Sequence, residues 1–324
     1  MTSVLLFGLG DVGSRAARQL ADTDGVELLI ADRRARRATA LAEALGAGVR
    51  AVTLGHDGEL PEAVDVAAAA VPGEVAARWG ARVIDAGVAL VTCADDDLDA
   101  VGALDGAARR AGVTVLAGSG FAPGLTDVLA KHAASSFDQV DELHVARAGT
   151  AGPASQAARR TAAKGGAREW HADGWRVVRG AGPELVCFPD PVGGRECIST
   201  GTGIELLVRA FSGLRRATVR QPPPDTRSPL GGSNDDPWGA ARVEVWGRRG
   251  GQRVPVVYGV VEHTPVATGT VLALAAASLG GVLPLVTPQP GVAGLGEIVD
   301  APAFLAELAR RGVKAAIFEG VPVG

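Results

Sequence analysis

The sequence predicts an α/β protein: an N-terminal doubly wound parallel sheet followed by a second, α+β domain. Three observations predict it. Short apolar runs alternate with helical patterns up to about residue 120, a glycine triplet joins the first run to the first helix, and beyond Phe137 the pattern changes to more loosely spaced strands.

Residues 4–7 are an apolar run too short for a helix, and Gly8-Leu9-Gly10-Asp11-Val12-Gly13 follows; Ala16, Ala17 and Leu20 then recur at helical spacing. This reads as strand, tight turn, helix. Residues 26–32 read as a second strand and 33–45 as a helix with its apolar face at Ala38, Leu41, Ala42 and Leu45. Residues 49–52 supply a third strand and 65–71 a fourth, stopped by Pro72-Gly73. Residues 89–93 supply a fifth, and 113–116 a last one after a helix over 98–111. Such alternation requires parallel pairing with right-handed crossovers, so helices cover both faces of the sheet. The first domain is assigned to residues 1–122.

A second domain, for substrate binding and dimerisation, is assigned to 123–283, with strands at 142–146, 174–178, 185–188, 241–246 and 254–261. Residues 221–238, with Pro222-Pro223-Pro224 and Gly231-Gly232, read as a surface loop. The longest apolar stretch, 267–285, is rich in Ala and Gly and carries Pro284, and it reads as a buried helix rather than a membrane span. Residues 301–311 read as an amphipathic helix stopped by Gly312, and 313–318 as a final strand. The segment from about 284 to 324 is expected to pack back on the first domain.

The 324 residues suffice for about two domains of ~150. With 32 basic against 36 acidic residues the net charge is −4, which excludes a cationic footprint for nucleic acid or anionic lipid and leaves small-molecule chemistry. Cys93, Cys187 and Cys197 are an odd count without zinc-type spacing, against a disulfide framework or a metal site and for a reducing cytoplasm. The start lacks the basic segment and cleavage site of a signal peptide, so no export is expected. Glycine is 45 of 324 residues, so isolated glycines carry little information and only their context does. Tyr258 is the single tyrosine and Glu262 lies four residues on, which excludes the Tyr-x-x-x-Lys pair of short-chain dehydrogenases.

That context singles out Gly8, Gly10 and Gly13. They follow an apolar strand and open a helix, and Asp32 ends the second strand nineteen residues after Gly13, as in the Rossmann dinucleotide fingerprint. One glycine makes the turn, the next admits a pyrophosphate near the backbone, and the third lets helix and strand pack closely. Amides at Asp11 and Val12 would face the phosphates. Asp32 would bond the adenosine ribose and repel a 2′-phosphate, favouring NAD over NADP, while Arg33 with Arg34, Arg36 and Arg37 would serve either a 2′-phosphate or a solvated helix face. Val71-Pro72 would run along the cofactor crevice, or simply stop the strand.

The segment Ala111-Gly112-Val113-Thr114-Val115-Leu116-Ala117-Gly118-Ser119-Gly120-Phe121-Ala122-Pro123-Gly124-Leu125-Thr126-Asp127 resembles the saccharopine dehydrogenase-like family, in which a strand ends in a Gly-x-Gly-x-x-Pro-Gly turn and enters the interdomain helix. Ala86-Gly87-Val88 with Val91, the stretch from Phe188-Pro189 to Arg195-Glu196, and Phe304-Leu305 with Arg311-Gly312 look like further elements of that family. The resemblance implies a homodimeric NAD(P)-dependent oxidoreductase transferring hydride at a C–N bond of an amino acid or amine. Thr92 stands where saccharopine reductases typically have an aspartate, which argues against saccharopine itself.

Oxidising an amine at a nicotinamide needs a base and a carboxylate to hold the cationic substrate. His263, at the end of an apolar strand, is the preferred proton-transfer residue because histidine titrates near neutrality; capping the strand is its plainer role. Lys164 is a second candidate, as a base or, with Arg159, as a carboxylate ligand; surface exposure is the alternative. Asp95, in Asp95-Asp96-Asp97, would bind an amine or cap the helix at Leu98, and Asp127 would attract substrate nitrogen or cap its own helix. Phe121 and Pro123 would wall the nicotinamide, and Cys93 reads as a cleft-lining thiol rather than a nucleophile. Two other classes fit the same scaffold: a nucleotide-binding accessory protein without turnover, and an enoyl or aldehyde reductase.

Overall fold

The computed structural model describes residues 1–54, 60–61, 63–150, 152–153, 155–157, 160, 166–172, 174–179, 182–223 and 238–319. The N-terminal strands and helices alternate as β1 (Thr2–Phe7), α1 (Asp11–Ala21), β2 (Val26–Ala31), α2 (Ala35–Leu45), β3 (Val49–Ala51), β4 (Val66–Ala69), α3 (Gly73–Asp85), β5 (Ala89–Thr92), α4 (Leu98–Gly102), α5 (Asp105–Ala111) and β6 (Thr114–Ala117). All pair in parallel, in the order β3-β2-β1-β4-β5-β6. The inner strands β1, β4, β5 and β6 read as largely apolar runs because both their faces are covered, whereas the edge strand β3 is exposed beyond Val49. On one face Leu5, Phe7, Leu29 and Ala67 pack with α3 residues Ala76 and Val83. On the other Val4, Leu6, Ile30 and Ala68 join a core that continues into the second sheet.

The helix expected over 98–111 is two. Leu104 N bonds back to Val101 O, a tightened turn that breaks the helical ladder. The Leu104 side chain lies over Gly80, where an added Cβ would meet it at 2.6 Å.

Beyond α6 (Leu125–Ala134) the second sheet is mixed. It takes the order β10-β11-β12-β7-β13-β14-β16, with β8 pairing β12 and β9. The strands are β7 (Gln139–Ala148), β8 (Ala167–His171), β9 (Gly174–Val178), β10 (Glu184–Cys187), β11 (Gly194–Ser199), β12 (Arg216–Gln221), β13 (Trp238–Arg249), β14 (Gln252–His263) and β16 (Ala315–Glu319). A helix, α7 (Ile204–Arg209), precedes β12. The long β13–β14 hairpin closes through Gly250-Gly251, both at positive φ (57° and 82°), the geometry of a tight two-residue turn. Sequence reading missed β8, β11, β12 and α7. The expected loop at 221–238 falls mostly on 224–237, outside the described residues.

Two elements link the two sheets. Helix α8 (Thr264–Leu279), assigned by sequence to 123–283, packs along α1: an added Cβ on Gly269 would lie 2.9 Å from Val12 O and 2.7 Å from Arg15 Cβ. It is buried continuously from Ala267 to Ser278, which is why its sequence shows no amphipathic period. Among the described residues no helix is long and apolar enough to cross a membrane. The segment after 284 divides between the sheets. Strand β15 (Gly291–Gly294) extends the first sheet by pairing in parallel with β6, whereas β16, after α9 (Leu295–Ile298) and α10 (Ala301–Arg310), pairs with β14.

Candidate functional site

The C-terminal ends of β1, β4, β5 and β6 carry the site. At the end of β1, Gly8 has φ +89°, and a Cβ there would sit 2.5 Å from both Ala70 O and Val71 Cγ1; a Cβ on Gly13 would sit 1.8 Å from Gly8 O. Both positions exclude a side chain. Gly10 differs, because nothing lies within 4 Å of its missing Cβ. The loop is therefore packed tightly underneath and open at Gly10, at the N-terminus of α1, where Asp11 and Val12 follow. Asp32, half-buried at the end of β2, ties this loop down: Oδ2 accepts from Leu9 N at 2.8 Å and Oδ1 from Arg34 N at 2.9 Å. Arg33 is exposed. Val71 and Pro72 continue from β4 into the N-terminus of α3, beside Gly8. A cradle with backbone amides, open space at one glycine and a carboxylate at its rim fits a dinucleotide.

Cys93 follows β5. The residue is partly exposed, but its Sγ points back at Ala69 O, 3.6 Å away, and burial, with Asp95 adding, pushes the thiol up to about 12. It is no thiolate nucleophile near neutral pH. Asp96 bonds Gly73 N at the start of α3, and Asp97, at φ +45°, is the N-cap residue of α4. After β6 the 118–124 turn closes on itself through Gly120 N to Pro123 O and Leu125 N to Gly120 O. Gly124, at φ +122°, has no room for a Cβ, which would lie 2.2 Å from Gly120 O. Phe121 and Ala122 are buried in this turn, and the Ala122–Pro123 peptide is cis.

The second sheet meets the turn at a residue that sequence reading missed. Arg147, at the end of β7 and 4% exposed, donates from Nη1 to Asp95 Oδ2 at 2.7 Å and to Ala122 O, and from Nε and Nη2 to Gln221 Oε1 at 3.1 and 3.0 Å. Asp95, proposed from sequence as an amine ligand or helix cap, is thus the ion-pair partner of a buried arginine. In an arginine-rich chain nothing marks Arg147 in sequence except its place in the apolar run Val145-Ala146-Arg147-Ala148.

His263 ends β14 and is the N-cap residue of α8, its ring stacked on Trp238 with centroids 4.3 Å apart. Five residues on, about 7.5 Å of helix rise, Thr268 Cγ2 lies 3.4 Å from where a Gly120 Cβ would be, so the start of α8 abuts the same turn.

Asp127, expected to attract substrate nitrogen or cap its helix, lies in the first turn of α6. Its carboxyl, 3% exposed, lies in a cavity of ≈ 10 Å³ lined by Ala122, Pro123, Thr126, Thr202 and Gly203, room for about one water and not for a substrate. Thr126 Oγ1 bonds Oδ1 at 3.3 Å, Oδ2 has no partner among the described residues, and burial pushes the group up to about 7. Lys164 and Arg159 lie outside the described residues. A larger cavity, ≈ 250 Å³, sits on the other face of the second sheet between His144, Glu184, Arg220, Arg242 and Glu244. Its charges pair among themselves, Arg220 with Glu184 and Arg242 with Glu244.

No family model matches the chain, and no curated protein matches it. Solved structures do. Saccharopine dehydrogenase (L-Glu forming) from Saccharomyces cerevisiae aligns with TM-score 0.72 at 13% identity over 98% of this chain and 100% of that one. The C. glutamicum DAP dehydrogenase in complex with DAP aligns with TM-score 0.52 at 15% identity, over 96% and 99%. A putative myo-inositol dehydrogenase from Sinorhizobium meliloti aligns with TM-score 0.51 at 13% identity, over 96% and 95%. The chain has the saccharopine dehydrogenase-like fold: a Rossmann sheet joined to a second mixed sheet.

Proposed function

We propose that the protein is an NAD(P)-dependent oxidoreductase, with NAD preferred, that transfers hydride at a C–N bond of a small amine or amino acid and works as a homodimer. The cradle at Gly8, Gly10 and Gly13, tied down by Asp32 at the end of β2, carries this reading. Asp32 at the rim opposes a 2′-phosphate, which supports NAD. The amine assignment is supported by the Gly118 to Gly124 turn motif and by fold neighbours whose substrates are amino acids. A two-fold assembly is the common state of such soluble enzymes.

The bound nicotinamide would supply the hydride chemistry. The chain's own part is to bind and orient: amides of the glycine loop and the α1 N-terminus for the pyrophosphate, and Cys93, Phe121 and Pro123 at the strand ends for the nicotinamide half. His263 would exchange the substrate proton at the start of α8, where Trp238 fixes its ring.

The test is fluorescence titration with NADH and NADPH, followed by oxidation assays with diamines, basic amino acids and a polyol. Micromolar NADH binding with turnover on a charged amine is expected. Turnover on the polyol alone overturns the amine assignment, tight binding without any turnover indicates an accessory protein, and failure to bind either nucleotide overturns the cofactor reading.

A further inference from the structure

Arg147 is a buried polar residue whose environment the cofactor reading leaves unexplained. It occupies the face of β7 that otherwise presents Leu143 and Val145 to the core, where an aliphatic side chain would pack without an ionic partner. Buried ion pairs rarely add stability over well-packed apolar residues, so stability alone does not account for this one. What the guanidinium does have is reach. Every nitrogen of it donates, and among the described residues the acceptors belong to three separate segments: Asp95 in the loop after β5, Ala122 in the turn after β6, and Gln221 at the end of β12. A planar, rigid fork fixes the separation of groups that it bonds together, which a flexible ammonium does not. Two of those segments belong to the first sheet and carry Cys93, Phe121 and Pro123; the third belongs to the second sheet.

We infer that Arg147 is a positioning residue for the nicotinamide half of the cofactor site: it holds the 118–124 turn and the loop after β5 at a set distance from the second sheet, and Asp95 is its counter-ion rather than a proton acceptor. The inference rests on the cofactor reading above and deepens it. Because the guanidinium is engaged on all sides and buried, it acts through Ala122 and Asp95 and not by touching substrate. The glycine cradle, at the other end of the strand-end row, contains none of these three acceptors and is expected to be indifferent to it.

The experiment compares the wild-type chain with Arg147→Lys and with the double variant Asp95→Leu/Arg147→Met, which removes both charges of the pair together. NADH emission on binding reports the nicotinamide environment; ADP-ribose competition reports the cradle alone; thermal unfolding reports folding. ADP-ribose affinity is expected to stay within about twofold of wild type in both variants. The NADH emission enhancement is expected to fall by about half or more in the double variant. Arg147→Lys, which keeps a charge opposite Asp95 but gives up the fork to Gln221, should fall between the two. Where a substrate is in hand, kcat should drop by about tenfold to a hundredfold with KM little changed, as misplacement of the reacting groups predicts. Wild-type NADH emission in either variant overturns the inference, and so does a parallel loss of ADP-ribose affinity, which would mark a general structural role. A wild-type chain that binds neither probe overturns the cofactor reading and this inference with it, an outcome visible before any variant is measured.

Discussion

Replacing Asp127 by asparagine should remove most of one pH-dependent term from the stability of the fold. The carboxyl sits in the first turn of α6, 3% exposed, with Oδ2 unbonded among the described residues. Burial, opposed by bonds from Thr126 and Gly124 and reinforced by the charge of Glu297, raises it from an ordinary 3.8 to about 7. Glu297 is itself paired with Arg209 at 2.8 Å. The sign follows from proton binding. Below the unfolded value both states hold the proton, and stability is full. As pH rises toward 7 the unfolded chain releases the proton first, and each unit costs about 1.4 kcal/mol until the folded carboxyl also ionises. From pH 5 to pH 8 this group therefore removes about 3 kcal/mol from the wild-type chain. Asparagine does not titrate, and every other group titrates alike in both proteins. Urea unfolding of both at pH 5 and pH 8 should show the stability difference moving toward the variant by about 3 kcal/mol. A difference constant to within about 0.5 kcal/mol would refute the argument, because it would mean that the carboxyl is solvated or bound to a cation.

The open and the packed sides of the glycine loop predict different outcomes. Gly10→Ala adds a methyl where nothing lies within 4 Å, so unfolding should be unchanged to within about 0.5 kcal/mol while NADH affinity falls by about tenfold or more. Gly13→Ala drives a methyl to 1.8 Å from Gly8 O and should cost stability as well, about 1–3 kcal/mol by calorimetry. Asp95→Asn leaves Arg147 charged and buried, and chemical denaturation should show a loss of about 3 kcal/mol, much of it regained when Arg147→Met is added. With its thiol pushed up to about 12, Cys93 should resist iodoacetamide at pH 8 in the native protein while the exposed Cys187 reacts, as peptide mapping by mass would show.

Where the fold was legible, two signals agreed locally. The first six strands of the Rossmann sheet could be read because all but the short β3 are mainly apolar runs and each lies beside a glycine or proline, and the cradle because Gly8, Gly10, Gly13 and Asp32 stand in one short unit. Strand β15 was missed because Gly-Val-Ala-Gly is only four residues long and holds a single β-branched residue, Val292, between glycines and alanine. Its position depends on remote partners: Asp105 Oδ1 accepts from Val292 N, and Thr114 Oγ1 donates to Gln289 O. Strand β12 alternates polar with apolar residues over only five positions, and β8, Ala-Arg-Glu-Trp-His, breaks the alternation at the buried Glu169, so neither stands out from an arginine-rich background. The site was half legible for the same reason. Backbone geometry shows in sequence as glycine, but which carboxylate meets which arginine is decided by topology, and so Asp95 was noticed without Arg147, and Asp127 without its depth.

The strand order has a consequence for the growing polypeptide. β6 leaves the ribosome long before β15, and until residues 291–294 follow, its outer edge offers unpaired amides and carbonyls to any extended segment nearby. The second sheet is likewise unfinished until β16 docks on β14. Neither layer can close before nearly the whole chain has been made, so ending the chain at residue 122 or 283 should yield sticky fragments, and the two halves mature together or not at all.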